Sequence, residues 1–287
     1  MGLTRTTRGL DTGMYDDFSS DTLANYTEAG GKTWTISGGV LSTSGANTSL
    51  RRADLATIKC GTVRNKMSSW GGYPGMVGVG GSGEDSGINI PNGYYANSQG
   101  STTASRLKRC VGGTLVDLAL ESTSARSTNT YYLWRVYISG GTIYYRHGST
   151  ALDQALGNAA DANFAAGHIF VYNYDTSTMT VDWLDGRPSH LITCSGMTEG
   201  HYLRVSDGTT AAEAAASGAG TASVDAGAVL FPLASVQIRT AAAGGGDLIA
   251  ELDTGDYADM GGGDAFEYSG AAAGNPYWYY QMLARRR

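Results

Sequence analysis

The sequence predicts an all-β protein made of antiparallel sandwiches, and three observations point to it. Glycine supplies 42 of the 287 residues without a G-X-Y period, far above the usual share of about 7%, so tight turns are frequent. The segments between those turns are short runs rich in Tyr, Trp, Val, Ile and Thr, residues suited to a pleated, half-buried surface. The third observation is the stretch from Thr130 to Gly148, TYYLWRVYISGGTIYYRHG. Its two alternating runs meet at Gly140-Gly141, a pair able to take the positive φ that a type I′ hairpin turn demands twice. With that pair at the tip, Ile138 faces Ile143, Val136 faces Tyr145 and Trp134 faces His147 on an apolar side. Tyr137 with Tyr144 and Arg135 with Arg146 share the other side. Like charges opposite each other need water or a partner, so one face reads as core and the other as wet or in contact.

In chain order, residues 1–14 read as a polar arm carrying Arg5 and Arg8. Residues 32–36 and 40–42 form a hairpin about Gly38-Gly39. Residues 57–70 alternate loosely, and GMVGVG (75–80) reads as a strand packed closely on a neighbour, with glycine permitting the approach. Arg106 to Glu121 is a hairpin about Gly112-Gly113, and His168 to Tyr174 is an apolar strand. Beyond Gly186-Arg187-Pro188 the pattern shifts to short segments at 201–205, 221–224 and 235–240 with Ala/Gly-rich spacing, continuing through 247–252. The alanine run at 211–216 suggests a helical turn too short to stand alone. Residues 271–287 form a tail with Tyr277, Trp278, Tyr279 and Tyr280, an aromatic cluster of the kind that docks on a partner, ahead of three arginines.

Charge and composition exclude some classes. A net charge of −6 gives no basis for a nucleic-acid partner, and no apolar run approaches the roughly 20 residues that cross a bilayer as a helix. The N-terminus has no apolar h-region of a signal peptide. Cys60, Cys110 and Cys194 leave open one disulfide plus a thiol or three free thiols, and the four histidines are too scattered to suggest zinc.

The opening Asp16-Asp17-Phe18, followed by WTISGGVL from Trp34 to Leu41, resembles the start of concanavalin-like or laminin-G-like jelly-roll domains. The 134–145 hairpin and TVDWL from Thr180 to Leu184 look like the later strands of that fold. The resemblance covers residues 15–187 and implies a jelly roll there, with a second, smaller β-sandwich at 190–270 similar to modules appended to phage and bacterial surface proteins. It further implies an outside protein; without an export signal, a bacteriophage virion component (capsid decoration, fibre or tail) that forms a homo-oligomer and meets other virion proteins.

Concanavalin-like folds include glycoside hydrolases, which need two carboxylates about 5 Å apart or somewhat farther. Asp117 and Glu121 are the nearest pattern, expected on one strand face but about 13 Å apart over four steps, with Ala119 where similar families keep another acid. No GxSxG, HExxH or P-loop occurs. The expectation is therefore a non-enzymatic virion structural protein, with binding of host-surface polysaccharide as a secondary role, the alternatives being a glycoside hydrolase and a cellular adhesin or filament subunit. The glycan- or partner-binding candidates are Tyr137, Tyr144, Arg135 and Arg146, extended from a loop by Tyr94, Tyr95 and Asn97. No cofactor is expected; the one metal candidate is a calcium site from Asp16, Asp17 and Asp182, hard oxygen donors on strands expected to be neighbours.

Overall fold

Three Gly-Gly pairs turn the chain where the sequence places them. Gly140 and Gly141 take φ of 57° and 78°, and the flanking strands pair Ile138 with Ile143 and Tyr137 with Tyr144, the register expected from the turn. The structure is a computed structural model and describes residues 2–30, 34–52, 54–70, 75–80, 90–98, 102–122, 125–152, 154–174, 176–253 and 259–270.

The chain begins with β1 (Gly2–Thr7). The jelly roll follows as β2 (Met14–Asp16), β3 (Tyr26–Ala29), β4 (Thr35–Ser37), β5 (Val40–Thr43), β6 (Thr48–Arg52), β7 (Cys60–Met67) and β8 (Gly75–Val79). It continues with β9 (Gly93–Ser98), β10 (Ala104–Val111), β11 (Thr114–Ser122), β12 (Tyr132–Ser139), β13 (Thr142–Gly148), β14 (Gln154–Ala160), β15 (Ile169–Asn173) and β16 (Met179–Arg187). The C-terminal part holds β17 (Leu191–Ser195), β18 (Tyr202–Ser206), β19 (Ala211–Ala215), β20 (Ala222–Asp225), β21 (Ser235–Arg239), β22 (Leu248–Asp253) and β23 (Ala265–Ser269).

A seven-stranded sheet, β11-β10-β9-β8-β15-β6-β3, packs on an eight-stranded one, β14-β13-β12-β7-β16-β5-β4 with β2 beside β16. Alternation sends Trp134, Val136 and Tyr145 from one sheet and Tyr94, Leu107 and Val171 from the other into a common core. This is the concanavalin-like jelly roll, and apart from two short 3-10 turns the described chain is all β. The second sandwich stacks β1-β23-β17-β20 on β19-β18-β21-β22 over Leu3, Ile192, Leu203, Val224, Val236 and Phe266.

Two expectations are corrected. Residues 2–7 are not a free arm: β1 pairs antiparallel with β23, so the first strand of the chain belongs to the second sandwich and the jelly roll is inserted into it. The alternation of Leu3 inward and the ion pairs of Arg5 with Asp259 (2.6 Å) and Asp264 (2.7 Å) explain why a polar-looking segment docks. The 211–216 run is strand β19, because pairing with β18 supplies backbone partners that an isolated helical turn lacks. The aromatic tail, Tyr277 to Tyr280, lies outside the described residues.

Candidate functional site

The structure separates the residues singled out as binding candidates. On the eight-stranded sheet, the Tyr/Arg face of the β12–β13 hairpin is covered by the second sandwich. Arg135 is fully buried; its Nε donates to Thr62 Oγ1 (2.8 Å) and its Nη1 donates to the carbonyls of Ala226 (3.2 Å), Gly227 (3.1 Å) and Val229 (2.6 Å). Its guanidinium also lies 4.6 Å from the Phe231 ring centroid. Tyr137 stacks on Tyr144 (4.9 Å) and meets the tilted ring of His190 (4.7 Å), and a Cβ at Gly227 would come within 2.5 Å of its ring. Arg135 and Tyr137 therefore hold two sandwiches together and are not on an open face. Tyr144 and Arg146 stay half-buried at the edge of that seam, in a cleft of about 360 Å³ shared with Asn158 and Asp225.

Tyr94 and Tyr95, neighbours on β9, point to opposite sides. Tyr94 enters the core, and its hydroxyl donates to Asp161 Oδ1 (2.6 Å). Tyr95 points out, with Asn97 two residues on. This places Tyr95 and Asn97 on a strand in mid-sheet, not on a loop.

The outer face of the seven-stranded sheet is where these residues meet others. Phe170 and Tyr172 point outward from β15, and Arg106 and Lys108 from β10. Gly78 lies in register between Phe170 and Tyr95; a Cβ there would sit 2.0 Å from Phe170 Cζ. The glycine thus lets one ring lie over the intervening strand and reach the next, as the close packing expected of GMVGVG requires. The rings of Phe170 and Tyr172 lie 6.3 and 6.4 Å from Tyr95, and Tyr174 lies 6.2 Å beyond Tyr172. Aromatic pairs at this spacing are mutually stabilising. Phe170, Tyr95 and Tyr172 are buried, whereas Tyr174 is 43% exposed.

A cleft of about 300 Å³ opens along this ladder, lined by Tyr95, Tyr172, Tyr174, Asn97, Arg106 and Lys108 with Ile90 and Leu115. Burial pushes the Tyr95 and Tyr172 phenols upward, so both stay protonated O–H groups at neutral pH; Tyr172 donates to Asn47 Oδ1 (3.2 Å). Asn97 is only 4% exposed, and its Oδ1 has no hydrogen-bond partner among the described residues. A buried acceptor left unpaired is costly, and this one lines the cleft. Sequence reading reached Tyr95 and Asn97 but missed Tyr172, Tyr174, Arg106 and Lys108. The available signal was period-2 spacing: Phe170, Tyr172, Tyr174 and Arg106, Lys108 each put bulky or charged groups on one side.

Positions 117 and 121 do not keep the simple alternation expected of them. Between Leu107 and Lys108 the register slips, leaving Leu118 unpaired. Such a bulge interrupts alternation, so positions 117 and 121 no longer share a face by simple counting: Asp117 sits opposite Lys108 and position 121 opposite Ser105. The calcium candidates are likewise apart in role. Asp16 accepts from Phe18 N (2.9 Å), Thr22 Oγ1 (2.6 Å) and Tyr26 OH (2.9 Å), Asp17 accepts from Ser19 N (3.0 Å), and Asp182 pairs with Arg64. No group of three His, Cys, Asp or Glu among the described residues could hold a metal ion. The three cysteines are buried, and burial pushes the Cys60 thiol up to about 11.

The sequence matches no protein-family model and no curated protein. Solved structures similar in fold include a prokaryotic β-1,3-1,4-glucanase (lichenase) derived from a mouse hindgut metagenome, at 12% identity and TM-score 0.48 over 62% of this chain and 99% of that one. The exoplasmic/lumenal domain of VIP36 in its Ca²⁺-bound form is similar at 7% identity and TM-score 0.48, over 62% of this chain and 90% of that one. The carbohydrate binding module CBM66 from Bacillus subtilis is similar at 15% identity and TM-score 0.40, over 55% and 91%. At these identities the likeness is one of fold. The expectation of a non-enzymatic chain is withdrawn, since a lichenase stands among the structures similar in fold. The bulge at Leu118 removes the simple Asp117–Glu121 pairing, not the reaction class.

Proposed function

We propose that this chain recognises carbohydrate and that the outer face of the seven-stranded sheet is its sugar-binding surface. The observation that carries the reading is the cleft itself, in which a buried amide oxygen, Asn97 Oδ1, without a hydrogen-bond partner among the described residues, lies beside a ladder of tyrosine rings. Sugar rings present apolar C–H faces suited to aromatic side chains and hydroxyls suited to fixed acceptors and donors. Tyr174 supplies the exposed ring, Asn97 the acceptor, and Arg106 and Lys108 the donors.

Calorimetric titration with a panel of neutral and acidic oligosaccharides tests this. Binding that is weakened by both Tyr174→Ala and Asn97→Ala supports it; binding indifferent to both, or no binding across the panel, removes it. Following the same mixtures for release of reducing ends tests the glycoside hydrolase alternative at the same face. Of the features behind a virion setting, the N-terminal arm is instead a strand of the second sandwich. Immunogold labelling of particles with antibody to this chain tests that setting, and label confined to cell surfaces puts the adhesin reading ahead of it.

A further inference from the structure

The charge in the cleft narrows the ligand. Resting on the reading of this face as a glycan surface, we propose that the ligand is an acidic polysaccharide with carboxylates on its sugar rings, and that Asp117 competes with it for Arg106 and Lys108.

Arg106 and Lys108 lie two residues apart on β10 and both line the cleft. Their side chains are 22% and 13% exposed, and they share one carboxylate, that of Asp117, which is 44% exposed. Arg106 Nη1 holds Oδ2, and Lys108 Nζ lies 3.2 Å from Oδ1. Each cation therefore takes one oxygen of a planar carboxylate. Among the described side chains, two positive charges against one negative leave a local surplus in a chain whose net charge is −6. No aspartate or glutamate occurs anywhere on β9, β10 or β15, the strands that carry most of the cleft. Arg51, opposite Phe170 on the neighbouring β6, extends the same sign along the sheet.

Arg106 Nε is buried without a hydrogen-bond partner among the described residues, so the guanidinium retains donor capacity beyond its bond to Asp117. Partly buried cations gain more from an incoming anion than exposed ones, because water screens them less. Asp117, at the exposed rim on the bulged edge strand, is the removable member of the three. A neutral glycan would use the rings and Asn97 alike, but it has no need of two cations grouped about a single exchangeable carboxylate. Exchange of one carboxylate for another accounts for all of them.

The test compares oligogalacturonate with its fully methyl-esterified form, a neutral analogue of the same backbone, and with a sulfated galactan oligosaccharide. Binding is followed by calorimetry on the full chain, with thermal unfolding as a fold check on each variant. The acid is expected to bind about tenfold tighter than its ester, with the difference shrinking as salt is raised. Lys108→Met should lower the acid-to-ester affinity ratio severalfold. Asp117→Asn should raise it by about fivefold, the size of one partly exposed ion pair; a structural role for Asp117 would instead weaken both ligands together. Equal binding of acid and ester overturns this inference while leaving the glycan surface intact. Sulfated ligand bound as tightly as the carboxylate overturns the carboxylate geometry. Failure of all three probes and of the neutral panel removes the underlying reading as well.

Discussion

The outer faces of the two jelly-roll sheets draw on the same residue types but meet different partners. On the eight-stranded sheet, Arg135 is sealed under the second sandwich, its Nε donating to Thr62 and its Nη1 to the carbonyls of Ala226, Gly227 and Val229. On the seven-stranded sheet, Arg106 shares a half-exposed carboxylate with Lys108 in a cleft lined by Tyr95, Tyr172 and Tyr174, of which Tyr174 is exposed. Tyrosine and arginine on a strand face therefore do not distinguish an interdomain seam from a ligand surface. The partners of the arginine do, because backbone carbonyls of the same chain cannot be displaced without opening the seam, whereas an exposed carboxylate exchanges readily.

This contrast can be broken most forcefully at Arg135. Arg135→Ala strips the Gly227 and Val229 carbonyls of the donor they share, takes one of two donors from Ala226 O, and opens a cavity against Phe231, so a loss of about 3–5 kcal/mol is expected in urea unfolding. A loss below about 1 kcal/mol would mean that the seam does not depend on this residue. Gly78→Ala comes next: the new methyl forces Phe170 out of the ladder, and overpacking of this kind costs about 1–3 kcal/mol. The same variant should weaken saccharide binding, since Tyr95 loses the ring it rests on; retention of full affinity would separate the ladder from the cleft.

Tyr174→Ala sharpens the comparison from the other side. The ring is half-exposed, so stability should change by no more than about 0.5 kcal/mol, whereas affinity for a bound oligosaccharide should fall roughly fivefold, about 1 kcal/mol. An effect of similar size is expected on the inner side of β9. Burial works against ionisation of Asp161, but hydrogen bonds from Tyr94 and Asn163 and the bond with Arg109 outweigh it and bring its pKa down to about 2. A carboxyl depressed below its ordinary value of 3.8 contributes its stability fully above that value and loses it as pH falls toward 2. Tyr94→Phe removes one of those bonds, worth about 1 kcal/mol, so the acid-unfolding midpoint should move to higher pH; an unmoved midpoint would show that Asn163 and Arg109 suffice.

Local rules made much of this architecture legible. Gly140-Gly141 set the turn and hence the cross-strand partners from Ile138/Ile143 to Trp134/His147, because a two-residue turn admits one register. Gly78 announced a close approach, although which ring approaches is not a local property. Tyr94 and Tyr95 show the limit well: adjacent residues on a strand must point to opposite sides, but which side is core depends on the sheet that packs below. The slip at Leu118 could not be anticipated either, since it follows from fitting β11 onto β10 and not from a glycine or proline in the sequence.

The sequence by itself determined the strand-and-turn alphabet of this protein, the hairpin registers and the jelly-roll character, all set by φ preferences and period-2 alternation within a few residues. Only the tertiary structure decided that Gly2–Thr7 completes the second sandwich, that Arg135 and Tyr137 are covered, and that Tyr95, Asn97, Arg106, Lys108, Tyr172 and Tyr174 share one cleft. These are relations between segments up to some 260 residues apart, as for β1 and β23. They depend on which faces bury the most apolar surface once all strands are present, a sum over the whole chain that no short stretch contains.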